Sequence, residues 1–170
     1  MSAFTTDNYD DVKKLFIHQL NRMHCTKSYL IKNMPHLADL ATFKNLKLAI
    51  LETLEDVKKQ QTRVLEIYDL LNSKASDEGC DVIKTIIEEA YHFGDANNGL
   101  TKIINDMDII LYMRLIENIC LTAFGMLKVI NKFIGDDRIT QLLLECCDEN
   151  LDNDKLFKLM TEEYLSEKVS

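Results

Sequence analysis

Turn residues are scarce: one proline and five glycines in 170 residues. A sandwich or barrel of many short strands needs more of both, so an all-β fold is excluded. No run of about 18 uncharged apolar residues occurs, and no membrane span is expected. Basic residues are outnumbered by acidic ones, 20 against 28, giving a net charge of −8. That balance argues against general affinity for nucleic-acid phosphates or an anionic lipid surface. Met1 to Asp11 is polar and acidic, unlike a secretory signal or an Arg-rich transit peptide. The five cysteines include the neighbours Cys146 and Cys147 but no C-x-x-C. Reduced thiols in a cytoplasmic protein are therefore expected, with Cys146 and Cys147 as buried, inert thiols. His18, His24, His36 and His92 show no paired spacing and read as structural or surface residues. The Gly94–Gly99 stretch lacks the strand–turn–helix context of a phosphate loop, and no basic-aromatic interleaving marks nucleic-acid binding.

What is present is helical periodicity almost throughout. A polar lead-in (1–8) precedes one helical domain (9–165), followed by a polar tail (166–170). Helix 1 is expected from about Tyr9 to Leu40, bent at Pro35. Helix 2 is expected from about Phe43 to Leu71, a short helix from Asp81 to Phe93, helix 4 from Leu100 to Ile134 and the last helix from Asp136 or Asp137 to Leu165. Gly135 fits a C-cap between the last two. Four long helices, joined in pairs by short breaks and across the middle by a long connection carrying the short helix, match a four-helix bundle with one crossover.

The informative feature is a charge in the middle of each apolar stripe. Helix 1 reads Phe16, Leu20, Met23, Lys27, Leu30, Met34 and Leu37, alternating steps of four and three along one face. Helix 2 has a seam from Leu46 to Leu71 through Gln61, and beside it the stripe Leu51, Glu55, Lys58, Thr62, Leu65. Helix 4 reads Ile110, Met113, Glu117, Cys120, Phe124, Leu127. The last helix reads Leu142, Cys146, Glu149, Asp152 or Asn153, Leu156 and Met160. A buried charge without a partner costs several kcal/mol, so charges at similar depth on four helices predict a shared polar centre. In helical bundles such a centre usually holds two metals, on a Glu from each of two helices and a Glu-x-x-His from each of the others. Here Lys27 stands for a Glu, and Glu55 is followed three residues on by Lys58. An ammonium has no lone pair for a metal.

Four segments are similar to the YciF-like proteins, a stress-associated branch of the ferritin-like superfamily, over about residues 12–161. They are Phe16-Ile17-His18; Leu54-Glu55-Asp56 through Gln60; Cys80 followed by Ile86-Ile87-Glu88-Glu89-Ala90; and Glu117 through Gly125. Leu142-Leu143 and Glu149 to Asp154 extend the likeness. The resemblance implies a ferritin-like fold. Its metal positions carry over as Lys27, Glu55, Lys58, Glu117, Asn118, Cys120 and Glu149 or Asn150, so several ligands are lost.

The leading expectation is thus a vestigial centre in which Lys27 and Lys58 replace the metal charge and pair with Glu55, Glu117 and Glu149. No cofactor and no catalytic residue are expected, and the role is binding or assembly. The alternative is a metal-binding oxidase or storage-type protein holding iron, manganese or zinc on Glu55, Glu117 and Glu149, with Cys120 as a soft ligand and Asp152 nearby. Helix 4 is apolar on more than one face, through Ile103, Ile104, Leu111, Leu115 and Leu121, which predicts a homodimer.

Overall fold

The computed structural model describes residues 6–77, 79–94 and 101–169. Those residues form five helices: α1 (Thr6–Leu40), α2 (Lys44–Leu70), α3 (Asp81–Gly94), α4 (Lys102–Ile134) and α5 (Asp137–Val169). No strand occurs among them. The expected loop at 95–99, the first residues of the lead-in, Leu100 and Ser170 lie outside the described residues. The rest of the lead-in differs from expectation, since α1 already begins at Thr6; likewise α5 runs through the expected tail to Val169.

Local chemistry sets the helix ends. The Thr101 hydroxyl accepts from the Ile104 N–H and caps α4. Gly135, at φ 80°, takes the left-handed conformation that ends α4, and its N–H donates to Asn131 O. Asp136 Oδ1 then accepts from the Ile139 N–H at 2.9 Å, starting α5. The Asn131 amide donates to Asp136 O and Thr140 Oγ1, which fixes the α4–α5 turn.

Packing is a ring of four long helices. α1 lies on α2 and α4, and α5 lies on α2 and α4, while the diagonal α2–α4 pair barely touches. Asp106 near the start of α4 reveals the directions. Its carboxylate accepts from Thr42 N and Thr42 Oγ1, between α1 and α2, and from the Tyr164 hydroxyl near the end of α5. The start of α4 therefore meets the end of α1, so these two run antiparallel, and α2 and α4 run parallel. That arrangement requires the α2–α4 connection to travel the length of the bundle. α3 makes most of the journey: Cys80 at its start is disulfide-bonded to Cys25, and the Tyr91 hydroxyl near its end donates to Asn33 O. This is the expected all-α, single-crossover bundle.

The Cys25–Cys80 bond corrects the expectation of five reduced thiols. Cys120, Cys146 and Cys147 are free and buried. α4 is also, by length and composition alone, apolar enough to cross a membrane. In the bundle it instead turns Ile110, Met113, Cys120, Phe124 and Leu127 into the core and buries Asp106 and Glu117 with them.

Candidate functional site

The inner stripe of α1 is buried along its whole length, with Lys27 fully enclosed at its middle. Long apolar neighbours on both sides leave its ammonium no route to solvent. Nζ lies 5.3 Å from the centroid of the Phe124 ring on α4, a cation–π arrangement. It has no hydrogen-bond partner among the described residues. Cys120 and Glu117 lie one and two turns before Phe124 on the same stripe of α4 and are likewise buried. Asn153 of α5 donates to Glu117 Oε2 at 3.5 Å, while Oε1 has no partner among the described residues. Asn150, one turn earlier on α5, is fully buried and donates to Cys146 O at 2.6 Å. On α2 the buried polar residues are Thr53 and, between Val57 and Val64, Gln60, and neither amide atom of Gln60 is partnered among the described residues.

The centre draws one polar side chain or more from each long helix, and its members are only in part those the sequence pointed to. Lys27, Glu117, Cys120 and Asn150 are buried. Glu55 and Lys58 are not: they pair with each other at 2.6 Å, with side chains 62% and 48% exposed. Their whole stripe, from Leu51 to Leu65, is the solvent face of α2. Gln61 is only partly buried and bonds Ser28, and Gln60 takes the inward place. Glu149 also leaves the centre. α5 turns Leu143, Cys146, Asn150, Asn153 and Phe157 inward, so Glu149 points sideways at α2. There Arg63 grips it with two hydrogen bonds, at 2.8 and 2.9 Å, and reaches Glu145 with Nε. Asp152 is solvent-facing and pairs with Lys155. On the opposite flank of α5, Arg114 of α4 holds Asp154 at 2.8 Å.

Electrostatics follow from this burial. The Glu117 carboxyl is pushed up to about 7, mainly by burial. Lys27 and the Asn153 hydrogen bond work against the rise; Asp56 and Asp154 add to it. Burial also raises the Cys120 thiol, against the pull of Lys27. Cys146 is pushed up to about 12 for the same reason. None of these thiols is a ready thiolate nucleophile.

The residues present do not fit a di-metal centre. Glu117 is the lone carboxylate among the centre's six polar side chains, and the ammonium of Lys27 has no lone pair to offer a metal. No group of three or more His, Cys, Asp and Glu among the described residues is placed to hold a metal. Glu55, Glu117 and Glu149 are on three different surroundings: solvent, core and an arginine clamp.

Residues 11–170 match the model of the family described as "Domain of unknown function (DUF892)". The chain belongs to this family. Among solved structures it is similar to the E. coli stress protein YciF, at 20% identity and a TM-score of 0.84, covering 91% of this chain and 97% of that one. It is similar also to YcfI of Rhodopseudomonas palustris, at 22% identity and a TM-score of 0.80, covering 91% and 98%. No curated protein matches the chain. These neighbours share the bundle fold and agree with the YciF-like resemblance carried by the motifs.

Sequence reasoning missed Gln60, Arg63 and Asp106, and it left Asn153 as an alternative to Asp152 on the α5 stripe. Arg63 had a legible counterpart, because Glu145 and Glu149 are four apart on one face of α5. Gln60 is a neutral amide and carries no such signal.

Proposed function

We propose that this DUF892 protein is a non-enzymatic ferritin-like scaffold in which Lys27 has taken over the place of metal charge. The observation that supports this reading is the fully buried Lys27 ammonium, lying over Phe124 and close to Glu117 and Cys120. The arrangement differs from the expected one: Lys27 acts on Glu117 through its charge without a direct ion pair, and Lys58, Glu55 and Glu149 belong to the helix surfaces. A binding or assembly role in a stress response follows from the likeness to the E. coli stress protein. A homodimer is part of the same proposal, supported by Leu111, Met126 and Val129, which stay exposed on α4. A cytoplasmic location belongs to the same proposal, although the Cys25–Cys80 bond runs against it, since disulfides are rare in that compartment.

Elemental analysis tests the reading. The protein is expressed with iron, manganese and zinc supplied and purified without chelator. Less than about a tenth of an ion per chain is expected. About two ions per chain would overturn the proposal and revive a redox enzyme. About one would move the site to Glu117 and Cys120 with ligands from outside this centre. Light scattering at micromolar concentration tests the dimer: a mass near 19.7 kDa would refute it.

A further inference from the structure

The crossover helix α3 fills only part of the groove between α1 and α4. Beyond its first turn, toward the start of α1, the groove stays open as a cavity of about 450 Å³. That volume lies in the range of small-molecule sites. Met23 of α1, Ile83 of α3, and Leu115 and Ile119 of α4 form its apolar wall. Leu115 and Val82 remain 43% and 56% exposed there, apolar surface left without a cover.

The mouth carries the opposite chemistry. Arg22 stands at it and makes no ion pair among the described residues. Gly79 accommodates the arginine stem: a Cβ at Gly79 would come within 3.0 Å of Arg22 Cγ, and φ there is +85°. No Asp or Glu is found among the described lining residues, although acids outnumber bases 28 to 20 in the chain. Among the described residues the lining is mainly apolar, with one guanidinium and no carboxylate, and such a lining is the complement of an apolar tail bearing one carboxylate. The wall is also fixed in place, because Cys80 lines the cavity and is bonded to Cys25 of α1.

We propose that this cavity binds a small amphipathic carboxylate. Its chain lies along Met23, Ile83, Leu115 and Ile119, and its carboxylate meets the Arg22 guanidinium, whose planar fork suits two parallel hydrogen bonds. The site is separate from the Lys27 centre and stands whether or not that centre is free of metal.

Decanoate, kept below its micelle concentration, is the probe, with decan-1-ol as the uncharged comparison. Calorimetric titration of the full chain is expected to show saturable binding of decanoate at one site per chain. Arg22→Ala, a change at an exposed position, should weaken decanoate by at least about tenfold and leave decan-1-ol within about twofold. Thr122→Trp, at the exposed edge of the cavity, should block both while the melting temperature holds. Reducing the disulfide should weaken binding by loosening the wall. No saturable decanoate binding would overturn the proposal. Equal losses for decanoate and decan-1-ol in Arg22→Ala would overturn the carboxylate assignment. Undiminished binding in Thr122→Trp would overturn the location.

Discussion

Lys27 Nζ lies 5.3 Å from the centroid of the Phe124 ring, and no carboxylate comes within ion-pair distance of it among the described residues. A cation in a core, held by a ring face and by charges farther off, stabilises the fold only while its surroundings stay complementary. Lys27→Glu puts a second carboxyl beside Glu117 with no cation between them. We expect a loss of about 3 kcal/mol or more at pH 8, read from urea unfolding. The loss should shrink at pH 5, where carboxyls in such a site take up protons. Equal stability at pH 8 would mean that Lys27 reaches water.

Glu117 makes the stability of the native protein depend on pH in the less usual direction. Its folded value of about 7 lies above the ordinary value of 4.5. Between those values the folded state binds more protons than the unfolded one, so stability falls as pH rises. The contribution is fully present below about pH 4.5 and lost by about pH 7 to 8, and it amounts to about 3 kcal/mol. The groups facing Glu117 are Lys27 from α1, Asp56 from α2, and Asn153 and Asp154 from α5. Glu117→Gln should flatten the profile of unfolding free energy between pH 5 and 8. A profile unchanged by that substitution would assign the dependence elsewhere.

The surface pair offers the contrast. Lys58→Ala removes a partner of Glu55 that is half exposed, and exposed pairs contribute about 0–1 kcal/mol. The melting temperature should hold within about 2 °C. A loss as large as that of Lys27→Glu would restore Lys58 to the centre.

Much of the fold was legible because a bundle repeats one rule, and helix ends fell within a few residues of their expected places. The centre was legible where a charge interrupts an otherwise apolar stripe, as Lys27 and Glu117 do. On α2 the rule misled. Leu51 and Leu65 bracket Glu55 and Lys58 at helical spacing and imitate an inner stripe, yet both leucines are exposed, and exposed apolar residues are common on soluble proteins. On α5 the stripe pointed to Glu149, while the family resemblance left Glu149 or Asn150 open. A rotation of about 100° separates the two, and the structure buries the amide of Asn150 and turns Glu149 to Arg63. Asp106 resembled an ordinary acid in the first turns of a helix; only the tertiary structure brings Thr42 and Tyr164 to it.

That carboxylate ties three helix ends together. Asp106 is fully buried and accepts from Thr42 N at 2.7 Å, Thr42 Oγ1 at 2.6 Å and the Tyr164 hydroxyl at 2.9 Å. Asp106→Ala strands all three donors, each worth about 1–3 kcal/mol when left unsatisfied. A loss of about 3 kcal/mol or more is expected in urea unfolding, with faster hydrogen exchange at the ends of α1 and α5. Thr42→Val keeps the backbone bond and should cost less, about 1–2 kcal/mol. If both variants matched the native protein, the pin would be structural decoration.

The last prediction concerns Cys25 and Cys80, 55 residues apart in sequence. Closing a loop of that length restricts the unfolded chain and stabilises the fold by about 4 kcal/mol on the chain-entropy account. Titration of the unreduced protein with a thiol reagent in denaturant should count three thiols, those of Cys120, Cys146 and Cys147. Prior reduction should raise the count to five, the number of cysteines in the chain. Reduction should also lower the urea midpoint, and Cys25→Ala should lower it by a similar amount. Because the bond fastens the start of α3 to α1, exchange should accelerate first along the crossover, leaving the α4–α5 hairpin protected. A count of five without reduction would show the pair open in solution, and an unchanged midpoint on reduction would show that packing alone holds α3 in its groove.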